Sequence, residues 1–155
     1  MVNKTSFLEI FRWSGVALGF FLCFLLGNSP AEQFNILTLF VVAFVAGLTA
    51  LEGLLFSKEA SESTGYTGGR GYQRQSALNN LALALVTIVA FSLGWGVFAS
   101  AALMSVLLVF LSLSSINHLY SAIKEDNKTI KSYLRPVLTV LLIIVVLPIM
   151  IPALY

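Results

Sequence analysis

An all-α integral membrane bundle of five transmembrane helices, with the N-terminus inside and the C-terminus outside, is the fold class that this sequence predicts. Three observations lead there. The 155 residues are 58% hydrophobic and only 10% charged, against about 25% charged in a soluble domain. The uncharged stretches divide into lengths of roughly 20 residues, which is what a spanning helix needs. The basic residues fall on one side of every span drawn from those stretches.

The composition also excludes whole classes of function. A mean hydropathy of +0.92 is far from that of a cytosolic globule or a disordered chain. A net charge of +2 is too small to act as a global field, so no nucleic-acid partner is expected. One cysteine, Cys23, and one histidine, His118, leave no internal disulfide and no cysteine- or multi-histidine metal site. No metal is expected, and no cofactor is named by any motif.

The spans follow in chain order. Residues 13–31 are uncharged and rich in Phe, Leu and Gly, which places span 1 at about 10–28. Its apolar run is too long for a signal peptide, and no small-residue cleavage site precedes the Asn28-Ser29-Pro30 turn, so a retained helix is expected. Residues 33–51 are again uncharged and the apolar pattern runs on to Phe56, giving span 2 at 34–56. From Gln75 to Ile123 there are 49 residues without a charge, about 75 Å of helix at 1.5 Å per residue and too long for one crossing. Gly94-Trp95-Gly96 divides it into spans at 76–94 and 97–121, because glycine breaks helices and tryptophan favours the interface. Span 5 covers 134–154, where Pro148 and Pro152 are expected to kink or end the helix. Residues 1–155 thus form one transmembrane domain with loops at 57–75 and 122–133.

Lys4, Arg12, Lys58, Arg70, Arg74, Lys124, Lys128, Lys131 and Arg135 all fall before or at the mouth of span 1, between spans 2 and 3, or between spans 4 and 5 and at the mouth of span 5. The other connections carry none. By the positive-inside rule those three regions are cytoplasmic. The sequons at Asn3 and Asn127 then lie inside, where glycosylation is not expected. Within the spans, Gly15-x-x-x-Gly19 and the small residues Ala43, Ala46, Gly47 and Ala50 mark close helix contacts. Cys23 reads as an inert residue of the apolar half of span 1.

Polar groups inside a membrane are costly and mark function or helix contacts. Here they collect at one end. Glu52 lies about one turn from the cytoplasmic end of span 2. Gln75, Ser76, Asn79 and Asn80 open span 3, and Ser114, Ser115, Asn117 and His118 close span 4. Arg12 stands at the mouth of span 1. Helical spacing pairs Gln75 with Asn79, Ser76 with Asn80, and Ser114 or Ser115 with His118. Glu52 facing His118, flanked by Asn79 or Asn80 and Asn117, would form a site able to exchange protons. The plainer reading is a set of interhelical hydrogen bonds worth about 0.6 kcal/mol each.

The loop between spans 2 and 3 holds Gly65, Gly68, Gly69 and Gly71 with Tyr66, Tyr72, Arg70 and Arg74. Glycine backbone, two guanidiniums and the N-terminus of the next helix together suit an anion. It is neither a Walker motif nor a dinucleotide fingerprint. An interfacial turn anchored by Arg and Tyr in lipid headgroups is the alternative.

The stretch from Tyr66 to Ala82, with its Tyr-Thr-Gly-Gly-Arg-Gly-Tyr-Gln opening, resembles the signature of small, uncharacterised multi-pass membrane proteins of bacteria and archaea. It covers about a ninth of the chain. The resemblance implies a prokaryotic plasma membrane and no assigned reaction. A shorter likeness is to the membrane family that metabolises glutathione and eicosanoids, where an Arg-x-Tyr stretch leads into a helix carrying Asn, as Arg70, Tyr72 and Asn79 do here. That family has four spans and an acidic residue soon after the asparagine, where this chain has Leu81-Ala82-Leu83 and five predicted spans.

Three functions fit. The first is a module that binds a lipid, small amphiphile or partner subunit in a polar pocket at the cytoplasmic leaflet, through Arg70, Tyr72, Arg74, Gln75, Asn79, Asn80, Ser114 and Asn117. Its partners would be membrane lipids, with a second copy or another membrane subunit as further options. The second is an enzyme acting on a lipid or anionic cofactor at the inner leaflet, with Glu52 and His118 as the catalytic acid–base pair. A transporter or channel fits least, because the outer halves of the spans offer almost no polar path.

Overall fold

A computed structural model describes residues 4–64, 70–124 and 129–155. Those residues form six helices: α1 Lys4–Leu26, α2 Pro30–Leu55, α3 Ser57–Thr64, α4 Arg70–Ser92, α5 Val97–Lys124 and α6 Ile130–Leu154. Five of them, all but α3, are long and apolar enough to cross a membrane. The expected five-span, all-helical class is therefore what the chain adopts.

The turns follow from local chemistry. Ser29 caps α2 by accepting from the Glu32 amide at 3.2 Å, Pro30 occupies the first turn, and Glu32 Oε2 accepts from the Asn28 amide at 2.8 Å. This Ser-Pro-Ala-Glu start uses the proline and reciprocal-carboxylate logic of a capping box. It begins α2 at Pro30, four residues before the expected 34. At the other connection Gly94 and Gly96 take φ of 63° and 88°. The Trp95 amide donates to Ala90 O at 2.9 Å and the Gly94 amide to Phe91 O at 3.2 Å, the paired bonds of a Schellman cap. A Cβ at either glycine would meet no neighbour, so the backbone angle alone demands them.

One expectation needs correction. The segment read as a loop over 57–75 is helical at both ends. Ser57–Thr64 forms α3, and α4 starts at Arg70. Phe56 breaks α2 with φ −129° and ψ 36°, and the helix formers Lys58, Glu59 and Ala60 resume at once. Arg70, Tyr72, Arg74 and Gln75 consequently stand on the opening turns of α4. Gly65 to Gly69, the glycine-rich part of the expected anion loop, lie outside the described residues, as does Tyr66. Pro148 and Pro152 stand inside α6, which runs to Leu154, where span 5 was expected to end.

α2 is the axis of the bundle and packs against every other helix. Small residues let its neighbours approach. Gly15 and Gly19 of α1 form a notch that the rings of Phe44 and Phe40 fill, leaving no room for a Cβ. The Gly15-x-x-x-Gly19 motif thus serves α1 against α2. On the far side Ala77 and Ala84 of α4 pack on Gly53 and Gly47. At the end holding the Gly94–Gly96 hairpin the centre is dense and apolar. Phe34, Leu37, Val41, Val42, Met104, Leu107 and Val146 are completely buried there. Cys23 joins them, its thiol donating to Phe20 O at 3.1 Å.

Candidate functional site

The other end of the bundle is built differently. There the helices enclose a cavity of about 580 Å3 to which all six contribute. That volume is in the range of small-molecule sites. Its polar lining is Glu9, Arg12 and Trp13 from α1, Thr49 and Glu52 from α2, Gln73, Ser76 and Asn80 from α4, Ser114, Ser115, Asn117 and His118 from α5, and Arg135 and Thr139 from α6. Toward the middle of the helices Val45, Phe110, Leu111 and Leu138 take over.

One wall is an ion triad. Arg12 gives Nη1 to Glu9 Oε2 and Nη2 to Glu52 Oε2, each at 2.8 Å. Trp13 Nε1 donates to the second oxygen of Glu9 at 3.1 Å. Glu52 is 3% exposed, and a carboxylate so buried is tolerable only with its partner in place. The triad ties α1 to α2 over 40 residues of sequence. Arg12 Nε is also buried, with no acceptor among the described residues. An oxygen of a bound molecule or a water would satisfy it.

A second set of contacts joins α5 to α6. Arg135 Nη1 lies 3.1 Å from His118 Nε2. A guanidinium has only donors, so Nε2 is the acceptor and the ring proton sits on Nδ1. Next to it Ser115 Oγ donates to Thr139 Oγ1 at 2.9 Å, and Thr139 donates in turn to Arg135 O.

Of the residues singled out from sequence, Glu52, His118, Asn80, Ser114 and Asn117 line this one cavity. Glu52 meets Arg12 and His118 lies against Arg135. Arg74, Gln75 and Asn79 point along the exposed side of α4. Gln73, Ser76 and Asn80 face inward instead, at the i, i+3, i+7 spacing of one helix face. The small-residue contact of Ala77 and Ala84 with α2 sets that register. The side chains of Arg70 and Tyr72 lie outside the described residues.

Sequence reasoning missed Glu9, Arg135 and Thr139, and gave Arg12 no partner. Two signals were present. Glu9 and Arg12 have i, i+3 spacing at the same depth as Glu52. Arg135 enters α6 at the depth where His118 leaves α5. Among the described residues, no three His, Cys, Asp or Glu side chains gather as a metal site would require.

The family of unknown function DUF6790 matches residues 8–154, and the chain belongs to it. Neither a curated protein nor a solved structure matches the chain.

Proposed function

We propose that this DUF6790 chain holds a lipid or small amphiphile in the cavity, and that the polar end faces the cytoplasm from the plasma membrane of a prokaryote. The observation that carries the reading is the gradient along the cavity. Arg12, Glu52, Asn80, His118 and Arg135 surround one end, and Val45, Phe110, Leu111 and Leu138 surround the other. An amphiphile has the same gradient from head to chain. The cavity also opens sideways. Phe110 and Leu113 line it and are 41% and 62% exposed on a membrane-crossing helix. A ligand can reach the site through that side without leaving the bilayer. The orientation is supported by Arg12, Lys58, Arg70, Arg74 and Lys124, which gather at the same end of their helices.

Native mass spectrometry of the protein released from nanodiscs tests this. One small molecule or lipid should survive exchange on the wild type and be absent from Ser114→Trp, whose indole fills the cavity. Thermal unfolding of the variant checks that it still folds. Only exchangeable lipid on the wild type, or the same ligand on a folded Ser114→Trp protein, would overturn the reading.

A further inference from the structure

Resting on the amphiphile reading, we infer that the chain passes its ligand from one leaflet to the other along α2, and that the hairpin end is the closed side of that route. One stripe of α2 runs most of the length of the bundle. Asn35, Thr38, Val42, Val45, Thr49 and Glu52 recur at alternating steps of three and four residues, which keeps them on one helix face. Val45, Thr49 and Glu52 line the cavity. Asn35, Thr38 and Val42 continue the same face toward the hairpin end, where Phe34, Leu37, Met104, Leu107 and Val146 fill the centre.

That closed end holds polar atoms that its packing does not satisfy. Thr38 is 1% exposed, and its Oγ1 has no hydrogen-bond partner among the described residues. Asn35 Oδ1, one turn away on the same face, is buried and likewise without one. Other hydroxyls of the bundle behave differently. Thr49, Thr87, Ser112 and Thr139 each donate to the carbonyl four residues earlier. A polar atom left unpaired in an apolar interior raises the energy of the arrangement that buries it. An arrangement that lets water or a lipid head reach Asn35 and Thr38 removes that cost. α6, which packs on α2, is built to yield at the same end. Pro148 and Pro152 stand inside it and have no amide to give the carbonyls of Ile144 and Pro148, so its last turns are held by fewer bonds.

Together these features fit a bundle that opens at either end in turn. The cavity is one opening, lined for a head group. The other would wet the amide and the hydroxyl that the hairpin end now buries. Val42 and Val45 stand between the two polar stretches of the stripe and keep water from running through. A lipid head can step past two valines while its chain stays in the bilayer, through the side lined by Phe110 and Leu113.

The test places the full-length protein in sealed vesicles of phosphatidylethanolamine and phosphatidylglycerol, with a trace of phosphatidylethanolamine labelled on one acyl chain with nitrobenzoxadiazole. Dithionite added outside bleaches the label of the outer leaflet. Protein-free vesicles should keep their inner-leaflet signal, and vesicles with the wild type should lose it. Asn35→Leu/Thr38→Val removes both unpaired groups. The double variant should melt no lower than the wild type and keep the same ligand in native mass spectrometry. It should bleach the inner leaflet about tenfold more slowly, because the second opening loses the groups whose hydration favours it. A folded double variant that bleaches as fast as the wild type would overturn the route along α2. So would one that melts well below it, since the two groups would then be satisfied in the closed end. Wild-type vesicles that keep their inner-leaflet signal, made from protein that retains a ligand, would overturn passage between leaflets and leave the amphiphile reading standing. Protein that retains no ligand and moves no label would overturn both. A water-soluble nitrobenzoxadiazole dye trapped inside should stay bright. If it is bleached, the route is an aqueous pore and the inference falls.

Discussion

The two ends of this bundle are made from the same helices and packed by different rules. At the hairpin end, Phe34, Leu37, Val41, Met104, Leu107 and Val146 fill the space between α2, α5 and α6 completely. At the polar end the helices are held by an ion triad, an Arg–His contact and a Ser–Thr hydrogen bond, and 580 Å3 is left between them. The contrast shows how a bundle in lipid can keep a cavity. With no hydrophobic drive to close helices on one another, tight contact needs small or interlocking side chains. Where long polar side chains bond in pairs, they hold the helices at arm's length.

Substitutions can break that comparison. The largest effect is expected at Arg12. Arg12→Ala leaves Glu9 and Glu52 buried without their shared guanidinium, and about 3–5 kcal/mol of stability should go. Thermal unfolding in nanodiscs measures it, and Arg12→Lys should recover only part, because an ammonium cannot span both carboxylates with a planar fork. Next comes a matched pair of truncations. Met104→Ala at the filled end opens a void and should cost about 2–5 kcal/mol. Leu138→Ala only widens a cavity that already exists and should cost under about 1 kcal/mol. Equal losses would mean the two ends are packed alike. The smallest effect is at Ser115. Ser115→Ala removes its bond to Thr139 and should lower stability by about 0.6 kcal/mol, the average for such bonds in membranes.

Much of the architecture is legible without coordinates, for a physical reason. Crossing a membrane demands long apolar runs, and these expose helix number and rough limits. The Gly94-Trp95-Gly96 turn is legible because only glycine takes its angles at low cost. α3 is not, because an eight-residue polar helix, with Ala60 its buried residue among the described side chains, has no apolar period to detect. The site divides in the same way. Hydropathy reports depth, so Glu52, Asn80, Ser114, Asn117 and His118 could all be assigned to one end. It does not report which way around the helix a side chain points. Asn79 and Asn80 were equivalent on paper, and the Ala77 and Ala84 contacts decided between them. Pairing was hidden too, since Arg12 with Glu52 and Arg135 with His118 depend on which helices neighbour one another.

The most direct test of the central claim is a density map of the protein in a lipid nanodisc. The account expects elongated density inside the cavity, with its compact end between the Arg12–Glu52 and Arg135–His118 pairs and its tail passing Phe110 and Leu113 into the bilayer. A cavity closed by Phe110 and Leu138, with no density between the two arginines, would contradict it.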